Sequence, residues 1–340
     1  MEIKEAILKE ELDRVESFLG FFNLDLKDEH LDKTFYLVDD NDEIIGTISS
    51  EGSIIKCLAV KDNYQGENLS SILISHIISY LNSVNIYSYT VYTKPIYEST
   101  FLSYGFKMIV KTDKTVLLES GATSIMDSIK GIKTQIEMTF GSIDDSLDIR
   151  CAVLNANPFT LGHQELIVNA SKECDLMLVF IVEEDESLFT FKERFSMAYL
   201  SLSRYKNVVV IPSTKYMVSL LTFPNYFYKD EKIKEDEYAK IDSLIFKEYF
   251  MKYLFIKYRY VGSETKNHMT IYNKTLKEYL GDSLIVVDRY KNDNGDVLSA
   301  SKVRELIKNK DLNDIESFIP REIKFIILGK AYEWNKDIKR

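Results

Sequence analysis

The chain has little of what would commit it to an oxidising compartment, a membrane or a nucleic-acid partner. It holds three cysteines in 340 residues. Cys57, Cys151 and Cys174 stand far apart, each in or beside an apolar segment. That placement suits reduced core residues better than a metal or disulfide framework and implies a reducing compartment. No apolar run approaches the roughly 18 residues of a membrane span. The N-terminal "MEIKEAILKEELDRVESFL" alternates charge like a solvated helix rather than a signal peptide, so a cytoplasmic protein with no membrane association is expected. Positive charge is also short: 43 Lys and Arg against 53 Asp and Glu give a net −10. This works against a general grip on nucleic-acid backbone, so any phosphate site must be local. No internal repeat or low-complexity tract is present, and the acidic patches "EEDE" and "KDEKIKEDE" read as solvated faces or loops.

What is present divides the chain in two, as a length beyond one ordinary core requires. Residues 34–38 and 44–49 alternate apolar and polar around the turn "DDNDE" and predict a β-hairpin. "SIIKCLAV" and "IYSYTVYT" predict strands, "NYQGENLSSILISHIISYL" an amphipathic helix, and "STFLSYGF" a short helix ending near Gly105. Together they describe a mixed unit over 1–120. Segment 121–147 reads as a helical bridge. From 148 to 340 the pattern changes. Apolar runs at 150–154, 176–182, 207–211, 258–261 and 283–287 are separated by helical stretches, which predicts βα units around a doubly wound parallel sheet.

The stretch "NANPFTLGHQEL" follows the first of those runs. A buried strand that feeds a glycine-containing loop and then a helix aims backbone N–H groups and the positive helix end at one point, where anions bind. His163 at that helix mouth can donate a hydrogen bond to an α-phosphate or bridging oxygen, Gly162 allows close backbone approach, and Thr160 supplies a neutral donor. Helix capping is the competing reading for His163. In "LSASKVREL", Ser299 and Ser301 suit an N-cap or a β/γ-phosphate cradle. Arg304 lies one turn on, with forked donors that fit departing pyrophosphate.

"TLGH" resembles the T/H-x-G-H signature of the nucleotidyltransferase superfamily, and "LSASKVREL" its I-S-S-T-x-x-R segment. With "SLLTFPNYFYKD" and "YVGSETKNHMTIYN" in the same order, the chain resembles the [citrate (pro-3S)-lyase] ligase family over nearly its whole length. That family joins an N-terminal domain of the GNAT acetyltransferase type, an α+β fold, to a C-terminal Rossmann-like α/β adenylyltransferase domain. The resemblance implies an acid–thiol ligase. Such an enzyme uses ATP and Mg²⁺ to convert acetate to acetyl-adenylate, then acetylates the thiol prosthetic group on the acyl-carrier subunit of citrate lyase.

It also implies ATP contacts from Asn157, Phe159, Gly162, Gly262, Glu264, Ser299 and Ser301, with Thr160, His163 and Arg304 as the catalytic set. "FTFKERFSM" resembles the superfamily's F-x-x-x-x-R helix, so Arg194 reaches phosphate, assisted by Lys192; an exposed helix charge is the alternative. This chain has Ser263 and Thr265 where the family prefers a second acidic residue and a proline. In the N-terminal unit, "NYQGEN" matches the coenzyme A loop of GNAT proteins at Gly66 but carries Asn63 and Asn68 at its ends. A coenzyme A site, a seat for a carrier's pantetheine-type arm and a docking scaffold all remain open there. The rival activities are an adenylyltransferase for a phosphopantetheine-like or mononucleotide acceptor, and a non-catalytic nucleotide-binding module.

Overall fold

The computed structural model describes residues 1–24, 30–64, 68–183, 187–217, 223, 228, 230–263, 267–312 and 314–337, without the side chains of 267–270 and 334–337. These residues form two compact units. One is Met1–Asp127 with Phe223–Ile241, the other Ser128–Thr222 with Asp242–Arg340.

The first unit is built on seven strands: β1 (Glu2–Glu5), β2 (Lys33–Val38), β3 (Ile44–Glu51), β4 (Ile54–Val60), β5 (Ser88–Thr93), β6 (Lys107–Lys111) and β7 (Val116–Gly121). Their order is β1-β2-β3-β4-β5-β7-β6. Every neighbour pair is antiparallel except β4 and β5. A parallel pair needs a crossover, and α2 (Leu69–Ser83) lies in that connection. Leu69, Leu73, Ile74, Ile77 and Leu81 form its buried face. Helices α1 (Lys9–Gly20) and α3 (Glu98–Ser103) complete the unit. The first residues do not continue the expected N-terminal helix, because Glu2–Glu5 pair with Phe35–Val38 as an edge strand. The helix begins only at Lys9, where the Glu11 carboxylate accepts from the Ile7 and Leu8 N–H groups.

Strands β4 and β5 pair only at Ile54 with Thr90 and Ile55 with Val91. Cys57 then takes a left-handed φ of 54°, and the register of β3 against β4 shifts at the same place. Between the two strands lies a cavity of about 650 Å³ whose lining includes Leu58, Tyr64, Tyr92, Tyr97, Phe101 and Tyr104. Gly66 and its neighbours Gln65 and Glu67, on which the coenzyme-loop comparison turned, lie outside the described residues.

A distant part of the chain completes this unit. Phe223, buried to 1% exposure, meets Tyr92 edge-on at 5.4 Å and Tyr238 at 5.8 Å. The Glu237 carboxylate, fully buried, accepts hydrogen bonds from the hydroxyls of Thr112 and Thr115 at the β6–β7 turn, and Lys240 pairs with it at 3.2 Å. A buried carboxylate is tolerated only with such partners.

The second unit carries five parallel strands, β8 (Ile149–Leu154), β9 (Leu176–Ile181), β10 (Val208–Pro212), β11 (Ile256–Gly262) and β12 (Leu284–Val287). The order β10-β9-β8-β11-β12 makes it the doubly wound sheet expected from the apolar runs. All six residues of β9 are buried, as a strand covered on both faces requires. Its helices are α4 (Ile125–Thr139), α5 (Leu161–Ser171), α6 (Phe191–Leu202), the end of α7 (Glu231–Ile245), the single turn α8 (Lys252–Leu254), α9 (Asn267–Leu280), α10 (Ala300–Asn309) and α11 (Lys324–Asp337); the start of α4 and most of α7 belong to the first unit.

All three cysteines are free thiols. Burial pushes Cys151 up to about 12 and Cys174 up to about 11, so both stay protonated and unreactive at neutral pH. Among the described residues, no helix is long and apolar enough to cross a membrane.

The return of Phe223 onto the first unit is testable. Phe223→Ala should lower stability by about 3–5 kcal/mol through the cavity it leaves, read as a lower urea midpoint; an unchanged midpoint would show that this segment contributes nothing to the unit.

Candidate functional site

In a doubly wound sheet, ligands bind beyond the carboxyl ends of the strands where the order reverses. Here that point lies between β8 and β11, and "TLGH" leaves the end of β8. Thr160 is the N-cap of α5, with φ −125° and ψ 166°. Its hydroxyl accepts from the His163 N–H at 3.3 Å. In return the Thr160 N–H donates to His163 Nδ1 at 3.1 Å. This is a capping box with histidine in the place usually held by Glu or Gln. Because Nδ1 accepts, it carries no proton, so the neutral ring presents Nε2–H as a donor. Burial, and secondly the charge of Arg289, lower the His163 pKa to about 4. Capping and ligand donation, which compete as readings of the sequence, use the two different nitrogens.

Phe159 is fully buried in the core of this unit, with its ring 5.5 Å from that of His163. Its side chain therefore supports the histidine ring. Arg194 is not the exposed helix charge that the sequence allowed as the alternative. It is fully buried, and its guanidinium donates to the carbonyls of Phe189 (3.1 Å), Asn155 (2.7 Å) and Val182 (2.9 Å). A buried cation needs acceptors on several sides, and these come from the loops that leave β8 and β9. Lys192 is exposed on the same helix. The Asn157 side chain also ties the loops, its Oδ1 accepting from the Phe189 N–H at 3.2 Å.

The "LSASKVREL" segment arrives by a hairpin. Asn292 N–H donates to the Asp296 carbonyl, and Leu298 N–H donates to the Tyr290 carbonyl, both at 2.9 Å. Leu298 then lies against Gly162. A Cβ on Gly162 would stand 2.6 Å from the Leu298 carbonyl oxygen. One close approach that the glycine permits is thus to Leu298. Ser299 caps α10 by accepting from the Lys302 N–H at 3.2 Å. Arg304 donates to the Asn157 carbonyl and, at 3.2 Å, to the Ser301 hydroxyl, which is exposed. The two motifs therefore meet, and Arg304 joins them directly.

The donors at the two helix starts are unevenly committed. In α5 the Leu161 N–H goes to the Phe318 carbonyl at 2.9 Å and the His163 N–H to Thr160. That leaves mainly Gly162 N–H and His163 Nε2–H for a ligand. In α10 the Ser299 cap takes the Lys302 N–H, and the N–H groups of Ala300 and Ser301 start the helix ahead of it.

Gly262 ends β11, where a Cβ would meet open space. Its carbonyl accepts from Asn273 at 3.0 Å. Glu264 lies outside the described residues. Arg289, just beyond β12, is a site residue that the motif reading missed: its Nε donates to the Ser263 carbonyl at 2.8 Å, and its charge acts on His163. Its place directly after the last apolar run was the available signal. Among the described residues, no group of three or more His, Cys, Asp or Glu side chains could hold a metal ion.

Two outcomes follow from this geometry. Gly162→Ala should cost about 1–3 kcal/mol as an overpacked contact and displace the Ser299–Arg304 segment from His163. A melt and an activity both at wild-type level would remove the Leu298 contact as a constraint. For His163, only the unfolded chain gains a proton between its ordinary pKa of 6.5 and about 4, so this residue's contribution to stability falls as pH drops through that window and is unchanged above it. Its ring signals in an NMR titration should stay those of the Nε2–H tautomer from pH 5.5 to 8; a midpoint near 6.5 would contradict the capping box.

Comparison with known proteins follows the same two-part division. The citrate lyase ligase C-terminal domain family matches residues 149–325, and the acetyltransferase (GNAT) domain family matches residues 9–116. A [citrate [pro-3S]-lyase] ligase of Haemophilus influenzae is 32% identical over 322 residues, covering 92% of this chain and 93% of that protein. Proteins of the same name from Klebsiella pneumoniae and Escherichia coli are each 30% identical, covering 82% and 85% of this chain and 81% and 82% of those proteins. With such identity held across both units, and with the threonine–histidine and serine–arginine motifs meeting at the sheet's switch point, the chain belongs to the [citrate [pro-3S]-lyase] ligase family and is a ligase.

Proposed function

We propose that this ligase activates acetate with ATP and transfers the acetyl group to the thiol prosthetic group on the acyl-carrier subunit of citrate lyase, in the cytoplasm. The observation that carries the reading is the convergence of His163 Nε2–H, Arg304 and the start of α10 around the Gly162–Leu298 contact. A carboxylate oxygen of acetate attacks the α-phosphorus, the bond from that phosphorus to the bridging oxygen breaks, and pyrophosphate leaves. Charge grows on the phosphoryl oxygens, where a positioned donor is worth most. His163 donates from Nε2 to an α-phosphate oxygen. Arg304, with the Ala300 and Ser301 N–H groups, takes the β- and γ-phosphates. Mg²⁺ would supply further neutralisation of the triphosphate charge.

In the second half-reaction the carrier thiol attacks the acetyl carbon of acetyl-adenylate and AMP departs. The cavity between β4 and β5, with its tyrosine-rich lining, is read as the seat of the carrier's pantetheine-type arm.

Both halves can be measured on one preparation. Wild-type protein should exchange labelled pyrophosphate into ATP only when acetate is present, and His163→Ala should slow this exchange about 10²–10³-fold. Exchange that requires phosphopantetheine instead of acetate would assign the chain to the rival adenylyltransferase activity, and no exchange with any acceptor would leave a binding module. Leu58→Trp, which fills the cavity of the first unit, should leave exchange intact while slowing acetylation of the carrier subunit; equal carrier rates would remove the cavity from the reaction.

A further inference from the structure

The cavity of the first unit continues into a second, shallower depression. Phe22 and Asp62 line both the cavity between β4 and β5 and a groove of about 840 Å³ beside it. One side of that groove is the solvent face of α1, where Glu10, Asp13, Ser17 and Phe21 recur at helical spacing and are all exposed. The other side comes from the β2–β3 turn at Asp42 and Glu43 and from the residues that follow β4.

Phe21 is 85% exposed, although its backbone is fixed. Its N–H donates to the Phe18 carbonyl at 3.2 Å as α1 ends, and the next residue, Phe22, turns in against Phe18 with ring centroids 5.1 Å apart. A large aromatic side chain held on a fixed backbone and left in water is the kind of anchor that a partner buries. The charges of the groove are unevenly paired. Arg14 donates to the Asp42 carbonyl at 2.6 Å and meets its carboxylate at 3.2 Å, and Lys61 pairs with Glu43 at 3.0 Å. Glu10 and Asp13 have no ion pair or side-chain hydrogen bond among the described residues. With both cations of the groove neutralised, two carboxylates remain to face a partner.

We propose that this groove docks the protein body of the carrier subunit while its arm occupies the adjoining cavity, and that the docked face of the carrier is apolar with Lys or Arg at its edge. The occupant rests on the reading of the cavity given above. An arm tethered to a protein enters a cavity only when that protein lies against the cavity's edge, and the groove shares two lining residues with the cavity. Phe21 supplies the buried contact. Glu10 and Asp13 select the sign of charge on the partner and fix its orientation, as edge charges at an interface do.

The test uses the full-length protein and the carrier subunit prepared without its prosthetic group, so that the arm adds nothing to binding. Calorimetry should find wild-type protein binding this arm-free subunit, and Phe21→Ser should weaken the affinity about tenfold or more. Glu10→Lys combined with Asp13→Lys should weaken it as well and flatten its salt dependence, because exposed charges act through an attraction that salt screens. With the complete carrier, both variants should raise the KM for acetylation and leave kcat in place. Acetate-dependent exchange of pyrophosphate into ATP should stay at the wild-type rate, since none of these residues serves the nucleotide. Absence of binding by wild-type protein, or unchanged affinity in either variant, would overturn the docking site and leave the functional reading intact. Tighter binding by the lysine variant would overturn it too, by showing an acidic partner. If wild-type protein shows no acetate-dependent exchange, the functional reading fails, while the calorimetry still decides the groove. Because Phe21, Glu10 and Asp13 are exposed, the variants should fold, which circular dichroism and a cooperative melt verify.

Discussion

The missing side chain of Gly162 is the constraint on which the candidate site depends. One methyl group there would stand 2.6 Å from a backbone oxygen of Leu298, closer than van der Waals contact allows. Without it, the first turn of α5 and the residue before the α10 cap lie in contact. Residues separated by more than 130 positions then act on one small volume: Thr160 and His163 from one side, Ser299, Ser301 and Arg304 from the other. The Arg304 guanidinium closes the arrangement by donating to the Asn157 carbonyl, which lies in the loop ahead of "TLGH".

The site also divides its electrical work among groups that look interchangeable in sequence. Three arginines stand near the carboxyl edge of the sheet, and their surroundings separate them. Arg194 spends its donors on backbone carbonyls and fixes the loops after β8 and β9. Arg304 bridges the two motifs. Arg289, half-buried after β12, donates to the carbonyl of Ser263. A fully buried guanidinium costs several kcal/mol in desolvation unless its donors are met, and Arg194 meets that cost with oxygens the chain already had to place there. His163 is the complement of all three. Its lowered pKa makes it a donor without charge, so the fixed charges around it determine the sign of the field.

The first unit illustrates a different dependence. Four of its seven strands, β2 to β5, are legible in order along the chain, yet part of its core comes from Phe223–Ile241, beyond the third strand of the other sheet. Glu237 in that return is buried and bonded to Thr112 and Thr115. The stretch "KDEKIKEDE", whose last residue is Glu237 itself, reads as a solvated run. Charge-rich composition describes the helix face that meets water and is silent about Glu235 and Glu237, which are buried.

Sequence alone determined the classes of element and the site's vocabulary. Period-two and continuous apolar runs marked β2 to β5 and all five parallel strands, because burial on one face or two imposes those patterns. Local chemistry marked Thr160, His163, Ser299 and Arg304, because capping and anion binding at helix starts use short, contiguous motifs. The N-terminal strand Glu2–Glu5 escaped, since an edge strand paired on one side can carry the charge alternation of a solvated helix. What only the tertiary structure decided is which partner each group meets. Gly162 serves Leu298, Arg194 serves carbonyls, Phe159 serves the ring of His163, and Arg289 stands where no motif pointed. Those outcomes depend on contacts between residues far apart in the chain, and the identity of a side chain states what it can bond, whereas the packing of the strand ends states what is within reach.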